Sequence, residues 1–371
     1  MLVGLPTEIK VAERRVGLTP TSVRELTERG HEILVQQGAG EGIGAFDEDY
    51  VNAGAKIAAD AATVFAEAEM IVKVKEPQAA ERAMLRPGQV LFTYLHLAPD
   101  APQTEELLAS GATCIAYETV TDHHDGLPLL APMSQVAGRM SIQAGAHCLE
   151  SPNGGAGLLI GGVPGVASAN TVVIGGGVVG EHAIEMAVGL GSKVTVLDRN
   201  LEVLDRLSRR FGAALETVYS TTAALEEAVL AADLVIGAVL VKGATAPKLV
   251  TADMVKQMKA GSVLVDVAID QGGCFETSRA TTHAEPTYVI DDVVHYCVAN
   301  MPGAVPKTST YALNNATLPF TLALANKGAR QALLDDEHLL GGLNVHAGLL
   351  TVQHVADAQG LTYTDPVTAL G

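Results

Sequence analysis

One glycine-rich segment constrains the fold of this chain more than any other part of its sequence. The apolar run Thr171–Ile174 leads directly into Gly175-Gly-Gly177-Val-Val-Gly180, whose spacing is Gly-x-Gly-x-x-Gly, and a helical pattern follows it. In a strand–turn–helix unit the first glycine permits a tight turn, the second lets a pyrophosphate approach the backbone, and the third lets the helix pack closely on the strand. The segment therefore predicts a dinucleotide-binding unit; the alternative is a glycine-rich turn in an unrelated α/β sheet.

The residues around these glycines support the dinucleotide interpretation. The amides of Val178 and Val179 would face the pyrophosphate at the positive end of the helix. A second strand ends at Asp198, which lies 18 residues after Gly180 (198 − 180 = 18), near the spacing of about 20 for a carboxylate that binds the ribose. A carboxylate here would repel a 2′-phosphate, so Asp198 favours NAD over NADP, whereas the adjacent Arg199 acts in the opposite direction.

Composition and charge exclude several classes of protein. Hydrophobic residues make up 48% of the 371 residues, which is enough for a buried core and excludes a disordered chain. Because 42 acidic residues face 24 Lys and Arg, the formal charge is −18, and a nucleic-acid partner is not expected. The four cysteines form no C-x-x-C motif, so neither a zinc site nor a disulfide framework is predicted, and a reducing compartment is favoured.

Targeting, membrane and metal-binding signals are likewise not expected. Pro6 and charged residues come too early in the chain for a secretory signal. The most apolar stretch, residues 156–180, is interrupted by many glycines and by Pro164, which argues against a membrane helix. His123-His124-Asp125 lies in a loop flanked by Gly and Pro and is interpreted as a solvated turn, so no metal is assigned to it. We expect a soluble, acidic, cytoplasmic protein without a metal site.

Short apolar runs alternate with helical patterns through most of the chain. The strands predicted in the first series are Leu2–Leu5, Glu32–Val35, Met70–Val74, Val90–Tyr94 and Thr113–Tyr117, with helices over Pro20–Arg29 and Pro102–Ser110. The second series has strands Thr171–Ile174, Lys193–Leu197, Ala214–Val218, Leu234–Ala238 and Ser262–Val267, with helices over Gly180–Leu190, Leu201–Arg210, Thr221–Ala231 and Ala252–Met258. This alternation predicts an α/β fold with two doubly wound, Rossmann-like domains whose parallel sheets are covered on both faces.

The second series is flanked by two long helical patterns, Pro132–Glu150 and Ser309–Lys327. The segment after Ala329 is predicted to be helical, without strand signals, and a tail this short is hard to stabilise alone. We expect it to fold back onto the first unit, which would make the N-terminal domain discontinuous. The predicted domains are residues 1–130 with 306–371, and residues 131–305.

Basic residues near strand ends of the first series are candidates for binding an anion. Arg15 follows the first strand, and its planar guanidinium suits a carboxylate; the alternative is a surface salt bridge. Lys73 and Lys75 occupy alternate positions of an apolar strand, so both would lie on one side of it. A buried lysine is costly unless it meets an anion, and the alternative is a solvated edge strand.

Acid–base candidates also follow apolar strands. His96 ends a strongly apolar run and could exchange protons near neutral pH; alternatively it is a satisfied core histidine. In the second series, Asp266 could cap or bridge local structure, whereas Asp270, just before two glycines, is better placed to reach a ligand at a strand's carboxyl end. Asn300 could bind a cofactor amide or its own backbone.

Together these motifs make the whole chain resemble the L-alanine dehydrogenases. The resemblance rests on motifs in the same order along the chain: Pro6-Thr7-Glu8-Ile9-Lys10, Arg15-Val-Gly-Leu-Thr-Pro20, Val72-Lys-Val-Lys75-Glu-Pro77, Tyr94-Leu-His96, Pro132-Met-Ser134-Gln-Val-Ala-Gly138, Gly175–Gly180, Val265-Asp-Val-Ala-Ile-Asp270-Gln-Gly-Gly273 and Val298-Ala-Asn-Met-Pro302. Several unrelated motifs that agree at once are more specific than the glycine pattern alone.

The resemblance implies a reaction and a set of site residues. It implies reversible, NAD-dependent deamination of L-alanine to pyruvate and ammonium, with Arg15 and Lys75 holding the substrate and His96 and Asp270 as the acid–base pair. It also implies cytoplasmic homohexamers in which a cleft closes between the two domains. The cofactor-binding residues, from the glycine motif and the resemblance together, are Ser134, Gly175, Gly177, Val178, Val179, Gly180, Asp198, Ser220, Val239, Leu240, Val267, Ala268, Ile269, Asp270, Arg279, Val298, Ala299, Asn300 and Met301.

Two positions depart from the pattern of the family, and three other functions are alternatives to an alanine dehydrogenase. Val203 stands where relatives often carry a basic residue, which puts one ribose-side contact in doubt, and Gln135 stands where Glu is common. The alternatives are the NAD-binding component of a proton-pumping transhydrogenase, a non-catalytic NAD sensor, and an opine- or lysine-forming dehydrogenase. The presence of all four proposed substrate and acid–base residues favours the alanine dehydrogenase.

Overall fold

The computed structural model describes residues 1–239 and 246–371. The chain divides into two compact units, Met1–Met133 with Val305–Gly371 and Ser134–Ala304. The strands, in chain order, are β1 Leu2–Leu5, β2 Glu32–Gln36, β3 Lys56–Ala58, β4 Met70–Val72, β5 Val90–Thr93, β6 Thr113–Ala116, β7 Asn170–Ile174, β8 Lys193–Asp198, β9 Leu215–Tyr219, β10 Leu234–Gly237, β11 Val263–Asp266, β12 Thr287–Ile290, β13 Val293–Tyr296, β14 Leu343–His346 and β15 Leu349–Leu350.

Helices connect most of these strands. They are α1 Pro20–Thr27, α2 Asp47–Asn52, α3 Ala61–Glu67, α4 Ala79–Arg82, α5 Ala101–Ser110, α6 Ala131–Cys148, α7 Val178–Gly189, α8 Leu201–Phe211, α9 Thr222–Ala231, α10 Ala252–Gln257, α11 Pro306–Lys327, α12 Ala329–Asp335, α13 Glu337–Leu340, α14 Gln353–Gln359 and α15 Pro366–Leu370. Several begin at a side-chain cap, as at Thr19, whose hydroxyl accepts the Ser22 amide and so satisfies one of the unpaired donors of the first turn. None of the helices within the described ranges is both long and apolar enough to cross a membrane.

The sheet of the first unit has a Rossmann strand order. Its described strands run β15-β14-β6-β5-β4-β1-β2-β3, and the six from β6 to β3 are parallel to one another. The order along the sheet reverses between β1 and β4, and ligands of this fold class bind beyond the carboxyl ends of the strands at such a reversal. The first unit therefore has its own expected binding position, next to residues that follow β1, β4 and β5.

The sheet of the second unit repeats this arrangement. Its described strands run β12-β13-β11-β10-β7-β8-β9, with β12 alone antiparallel to its neighbour. The reversal lies between β7 and β10, so the glycine motif after β7 stands at the binding edge.

Each sheet carries a separate apolar core. In the first unit, Val64, Phe65 and Leu107 from the helices pack with Ile71 and Leu91 from the strands. In the second unit, helical residues such as Val229 and Val255 pack with strand residues such as Val235 and Leu264. Strands that are buried on both faces read as continuous apolar runs, which is why β4, β5, β10 and β11 stand out in the sequence.

The structure confirms the predicted fold class of two Rossmann-like units and the discontinuity of the first one. One expectation about the C-terminal segment is wrong. The chain after Ala329 is not purely helical, because β14 pairs antiparallel with β6 and with β15, extending the first sheet beyond its parallel part. The tail is therefore held by a shared sheet as well as by helix packing.

Candidate active site

Charged residues gather at the carboxyl edge of the first sheet. Glu8 and Arg15 follow β1, Lys73 and Lys75 follow β4, and His96 follows β5. The three strands are neighbours in the order β5-β4-β1, so the connections that leave them begin side by side. The parallel sheet thus brings residues from three distant parts of the sequence to one edge.

Arg15 is a buried residue that is held in a bidentate ion pair. Its Nε and Nη2 atoms donate to the two carboxylate oxygens of Glu13 at 2.7 and 2.6 Å, and its Nη1 lies 3.0 Å from the sulfur of Met133. Arg15 is 2% exposed, so the alternative of a surface salt bridge is wrong. Burial opposes the charge, but the bonds to Glu13 outweigh it and raise the pKa of Arg15. The guanidinium is therefore charged and fixed in orientation.

Lys73 is fully buried and meets two carboxylates. Its Nζ lies 3.0 Å from Oε2 of Glu8 and 2.6 Å from Oε1 of Glu81. Burial lowers the pKa of Lys73, but the charges of Glu8 and Glu81 outweigh it and the net shift is upward. The alternative of a solvated edge is wrong for Lys73, because β4 lies inside the sheet between β1 and β5.

The backbone of Lys75 is held by the carboxylate of Glu8. Oε1 of Glu8 accepts the amide of Val74 at 2.6 Å and that of Lys75 at 3.3 Å. Because β4 ends at Val72, the two lysines lie in the connection after the strand, and the prediction that strand alternation places both on one side does not apply. Lys75 is partly buried, and burial, together with the positive charge of Arg15, lowers its pKa.

His96 has an uncommon backbone conformation at the end of the β5 connection. Its φ is +51°, in the left-handed region, and its side chain is 46% exposed. The imidazole stacks on the ring of Tyr94, with centroids 5.7 Å apart and planes 5° apart. The alternative of a core histidine is therefore wrong. Oε1 of Glu118 accepts a hydrogen bond from the His96 amide at 2.6 Å, and the same oxygen lies 3.8 Å from Nδ1 of the ring.

Two buried tyrosines support this edge of the sheet. The Tyr94 hydroxyl donates to the carbonyl of Leu129 at 2.6 Å, and the Tyr117 hydroxyl donates to the carbonyl of Lys73 at 3.0 Å. Their rings meet edge to face with centroids 5.0 Å apart. The platform on which His96 stacks is therefore fixed both by packing and by hydrogen bonds.

The glycine motif of the second unit has the local geometry that its sequence predicts. Gly175 has φ +98°, and a Cβ there would lie 2.8 Å from the carbonyl oxygen of Ala238. A Cβ at Gly180 would lie only 1.8 Å from the carbonyl oxygen of Gly175, so helix and strand could not pack this closely with any larger residue. A Cβ at Gly177 would meet no described atom within 4 Å, which leaves open space at the start of α7.

That open space suits a dinucleotide pyrophosphate. Gly177 is the N-cap of α7 and makes no side-chain capping bond, so the first amides of the helix, including those of Val178 and Val179, need an acceptor. The residues that would border a phosphate here are small or present backbone donors. The structure of this turn therefore fits a dinucleotide.

Asp198 lies at the end of β8, beside the same turn. Its Oδ2 accepts the Gly176 amide at 2.7 Å, and its Oδ1 accepts the Asn200 amide at 2.8 Å. These two bonds fix the carboxylate at the tip of the βαβ unit, and each oxygen can still accept a further hydrogen bond. Val203 would lie 2.6 Å from a Cβ at Gly176, so this apolar residue packs against the turn.

Asp266 and Asp270 have different surroundings. Asp266 is buried; its Oδ1 accepts the Ala268 amide at 3.1 Å, and its Oδ2 accepts the Cys274 amide at 2.9 Å and the Ser278 hydroxyl at 2.5 Å. Burial raises the pKa of Asp266 in spite of these donors. It fixes the 3₁₀ turn 267–271, in which Asp270 is exposed. The structural role considered for Asp266 is thus the one it has.

The other predicted cofactor residues lie mainly at or after strand ends. Ser134 is in the first turn of α6, Ser220 follows β9, and Val239 follows β10. Leu240 lies outside the described residues. Arg279 stacks on the ring of Tyr288 at 4.2 Å, and Asn300 has φ +59° with its carbonyl accepting the Gly303 amide at 2.9 Å. The remaining members are buried or half-buried backbone positions: Val267, Ala268, Ile269, Val298, Ala299 and Met301.

Sequence reasoning missed the carboxylates that organise the first unit. Glu13, Glu81 and Glu118 were not predicted to act, and Glu8 was noted only as part of a motif. Two of them form ion pairs with cations that the sequence singled out: Glu13 pairs with Arg15, and Glu81 pairs with Lys73. A possible signal was charge balance, because buried cations need partners.

Comparison with known proteins gives a consistent assignment. The model of the alanine dehydrogenase/PNT N-terminal domain matches residues 4–137, and that of the C-terminal domain matches residues 141–353. The alanine dehydrogenase of Halomonas elongata is 62% identical over 371 residues, covering 100% of both chains. The alanine dehydrogenase of Mycolicibacterium smegmatis is 57% identical, covering 98% of each chain.

Solved structures agree with these relatives. An L-alanine dehydrogenase superposes with a TM-score of 0.94 at 53% identity, covering 96% of this chain and 99% of the other. A transhydrogenase from Sinorhizobium meliloti shares the fold, with a TM-score of 0.84 at 24% identity, covering 95% and 100%. The Rossmann-like turn and these relatives both indicate a nicotinamide cofactor. On this sequence and structural similarity, the chain belongs to the alanine dehydrogenase/PNT family.

Proposed function

We propose that the protein is an L-alanine dehydrogenase that uses NAD. The reaction converts L-alanine, NAD⁺ and water into pyruvate, ammonium, NADH and a proton, and it is reversible. The observation that supports this most directly is the gathering of Arg15, Lys75 and His96 at the carboxyl edge of one sheet, in a chain that is 62% and 57% identical to two alanine dehydrogenases over nearly its full length.

Arg15 and Lys75 bind the carboxylate and the neighbouring oxygen of the substrate. Both residues are at least partly buried, so their charges are less screened than those of surface residues. Glu13 fixes the guanidinium, and Glu8 fixes the backbone of Lys75. A substrate held at two points presents its Cα in one orientation, which converts binding energy into alignment for the reaction.

The chemistry divides between the cofactor and two side chains. NAD, when bound, would supply the acceptor for the hydride of Cα; once the ammonium group of alanine has lost one proton, loss of this hydride leaves the substrate as an iminium ion. Water adds to the iminium carbon while His96 takes one proton from this water, and His96 then returns that proton to the nitrogen. When the carbon–nitrogen bond of the carbinolamine breaks, the proton of its hydroxyl group passes by way of His96 to the departing ammonia, which gives pyruvate and ammonium. Asp270 stabilises the cationic nitrogen during these steps.

The second unit supplies the cofactor site. The turn Gly175–Gly180 would hold the pyrophosphate, and Asp198 would accept hydrogen bonds from the ribose and repel a 2′-phosphate, which favours NAD over NADP. In this assignment residues 131–305 form the NAD-binding domain, and residues 1–130 with 306–371 form the substrate domain. The other cofactor residues inferred from the family keep the roles given above.

The resemblance to the family also supports a cytoplasmic homohexamer with small-molecule substrates and no nucleic-acid partner. The strongly acidic composition, with a formal charge of −18, agrees with the last point. Size-exclusion chromatography with light scattering measures the oligomeric state directly; a monomer would contradict this part of the proposal.

One assay tests the proposed function. The purified protein is incubated with NAD and a panel of glycine, L-alanine, L-serine, L-valine and L-lysine, and NADH formation is followed by its ultraviolet absorbance. We expect turnover with L-alanine, weaker turnover with NADP, and loss of turnover in His96→Ala while NADH binding is retained. No NADH formation with L-alanine in the presence of NAD would overturn the proposal, and near-normal turnover of His96→Ala would overturn the role of His96.

A further inference from the structure

The backbone at His96 is held by one carboxylate. Oε1 of Glu118 accepts the amide of His96 at 2.6 Å and that of Leu95 at 3.1 Å, and Oε2 lies 3.2 Å from the same Leu95 amide. Glu118 reaches these donors from the 3₁₀ turn Tyr117–Thr119, which directly follows β6. Because β6 is the parallel neighbour of β5, the turn that carries Glu118 lies next to the segment after β5 that contains Leu95 and His96.

The conformation that Glu118 holds is one that histidine seldom adopts without support. The φ of His96 is +51°, where the Cβ of an L-residue crowds its own backbone. Two consecutive amides that converge on one carboxylate offset this cost, because hydrogen bonds to a charged acceptor are stronger than neutral ones. The Glu118 side chain is only 15% exposed, so water competes weakly for its oxygens.

The same carboxylate and the neighbouring aromatic ring set the orientation of the imidazole. Oε1 of Glu118 lies 3.8 Å from Nδ1 of His96, and the imidazole is stacked on Tyr94, whose hydroxyl is fixed on the carbonyl of Leu129. Nδ1 therefore lies on the side of Glu118, whereas Nε2, at the far end of the ring, points away from that carboxylate.

We propose that Glu118 is the positioning residue of His96: it holds residue 96 in the left-handed conformation and assigns Nε2 as the nitrogen that exchanges protons with the substrate. This inference rests on the proposed function, in which His96 is the acid–base residue. In this role Glu118 acts on the substrate through His96, whose amide it accepts together with that of Leu95.

Three variants separate this role from general support of the fold. Glu118→Leu removes the acceptor of both amides, whereas Glu118→Gln keeps one carbonyl oxygen that can accept both. Glu69→Leu is the matched control, because Oε1 of Glu69 also accepts a backbone amide, that of Leu2 at 3.0 Å, but at the amino-terminal edge of the same sheet. Each variant is compared with the wild type for melting temperature, NADH dissociation constant, and kcat and KM with L-alanine.

The expected result is a loss in kcat that is separate from binding. In Glu118→Leu we expect kcat to fall by about 100-fold, the loss typical of a misplaced catalytic group, while KM for alanine and the NADH dissociation constant stay near the wild-type values. Glu118→Gln should recover most of the lost kcat, and Glu69→Leu should leave kcat unchanged. A wild-type kcat in Glu118→Leu, or equal losses in kcat, KM and melting temperature, would overturn the proposal.

A crystal structure of Glu118→Leu gives a second readout that does not depend on activity. We expect residue 96 to leave the left-handed region and its ring to leave Tyr94; an unchanged φ and an unchanged stack would overturn the positioning role even if the variant were inactive. Failure of the proposed function has a different signature, because the wild-type protein would then form no NADH from alanine. The Glu118→Gln variant keeps the experiment decisive if Glu118→Leu does not fold.

Discussion

Arg15 and Glu13 form a bidentate ion pair in which the Nε and Nη2 atoms of the arginine lie 2.7 and 2.6 Å from the two carboxylate oxygens of the glutamate. Both side chains are almost fully removed from solvent, with 2% of Arg15 and 0% of Glu13 exposed. A buried pair of this kind fixes the geometry of the guanidinium, but it makes each partner depend on the other.

Glu13→Gln is therefore expected to destabilise the protein strongly. The substitution removes the negative charge that faces the buried guanidinium at both oxygens, and breaking a buried ion pair in this way costs about 3–5 kcal/mol in the free energy of unfolding. Urea denaturation measures the loss. The control is Glu28→Gln, which removes a carboxylate from the exposed pair with Arg24, where we expect a change below about 1 kcal/mol. Equal effects of the two substitutions would contradict the assignment of a buried pair.

Arg15→Lys should weaken substrate binding while leaving the charge in place. An ammonium group cannot bond both oxygens of Glu13 in the planar geometry of a guanidinium and also hold a substrate carboxylate. We expect KM for pyruvate and alanine to rise by about tenfold or more, which corresponds to about 1.4 kcal/mol of lost interaction. Steady-state kinetics in both directions test this, and an unchanged KM would exclude Arg15 from the carboxylate site.

The charge of Lys75 should make substrate binding sensitive to alkaline pH. Burial and the nearby Arg15 lower the pKa of Lys75 below its usual 10.5, so this lysine loses its charge at a lower pH than an exposed lysine would. KM for pyruvate, measured at saturating ammonium, should rise as pH increases through that lowered pKa.

Lys75→Arg supplies the control for this pH effect, because a guanidinium stays charged over the whole range. The alkaline rise in KM should then disappear, whatever the absolute value of KM.

The lowered pKa of Lys75 also affects the stability of the fold. The folded chain binds this proton less tightly than the unfolded chain, so charging Lys75 opposes folding as pH falls through the lowered pKa. Lys75→Met should accordingly raise the free energy of unfolding at neutral pH while abolishing turnover.

Two glycines of the same motif should respond differently to alanine. A Cβ at Gly180 would lie 1.8 Å from a backbone oxygen, whereas a Cβ at Gly177 would meet no described atom within 4 Å. Gly180→Ala should therefore lower the melting temperature. Gly177→Ala should preserve the melting temperature and weaken NADH binding, because its methyl group occupies space proposed for the pyrophosphate.

Gly189, at the end of the same helix, is the matched control for the glycine pair. A Cβ there would also meet no atom of the described residues within 4 Å, but it lies a helix length away from the turn. Gly189→Ala should leave NADH binding unchanged and stabilise the helix by about 0.5–1 kcal/mol. Normal NADH binding in Gly177→Ala, measured by titration of NADH fluorescence, would place the pyrophosphate elsewhere.

The glycine turn and the strands around it could be predicted because local geometry demands those residues. Gly175 has a positive φ, and Gly180 lies against a backbone oxygen. Because these positions require glycine, the spacing of the glycines in the sequence predicts the turn. Strands with apolar runs could be predicted equally well: Leu2–Leu5 matches its prediction, and Lys193–Asp198 extends its prediction by one residue.

The antiparallel additions to both sheets were not predictable in the same way. The strand Leu343–His346 has only four residues, and one of them is the buried Asn344, so it lacks an apolar run. Its partner, β6, is more than 200 residues earlier in the chain, and a local pattern carries no information about a neighbour so distant. The Asn344 amide is satisfied by Thr119 Oγ1 at 2.8 Å, a contact that exists only once the sheet has formed.

In the candidate site, too, some residues could be predicted from local sequence, whereas their distant partners could not. His96, Arg15 and Lys75 stand out as charged or titratable residues near apolar strands, but their partners do not. Lys73 pairs with Glu8, 65 residues earlier, and with Glu81, eight residues later, and nothing near Lys73 indicates which of the 42 acidic residues it meets. The folded sheet edge, rather than the sequence pattern, selects these carboxylates.

Both sheets use one strand order, with the reversal after the first strand of each unit. On the proposed assignment, one reversal serves the amino acid and the other serves the nucleotide, so the two ligands are recognised by independent scaffolds. Changes around Arg15 or Lys75 can then alter which amino acid is oxidised without disturbing the nucleotide turn, and changes around Asp198 can alter the choice of coenzyme. Such modularity gives a chain of this design two separate routes by which new specificities can evolve.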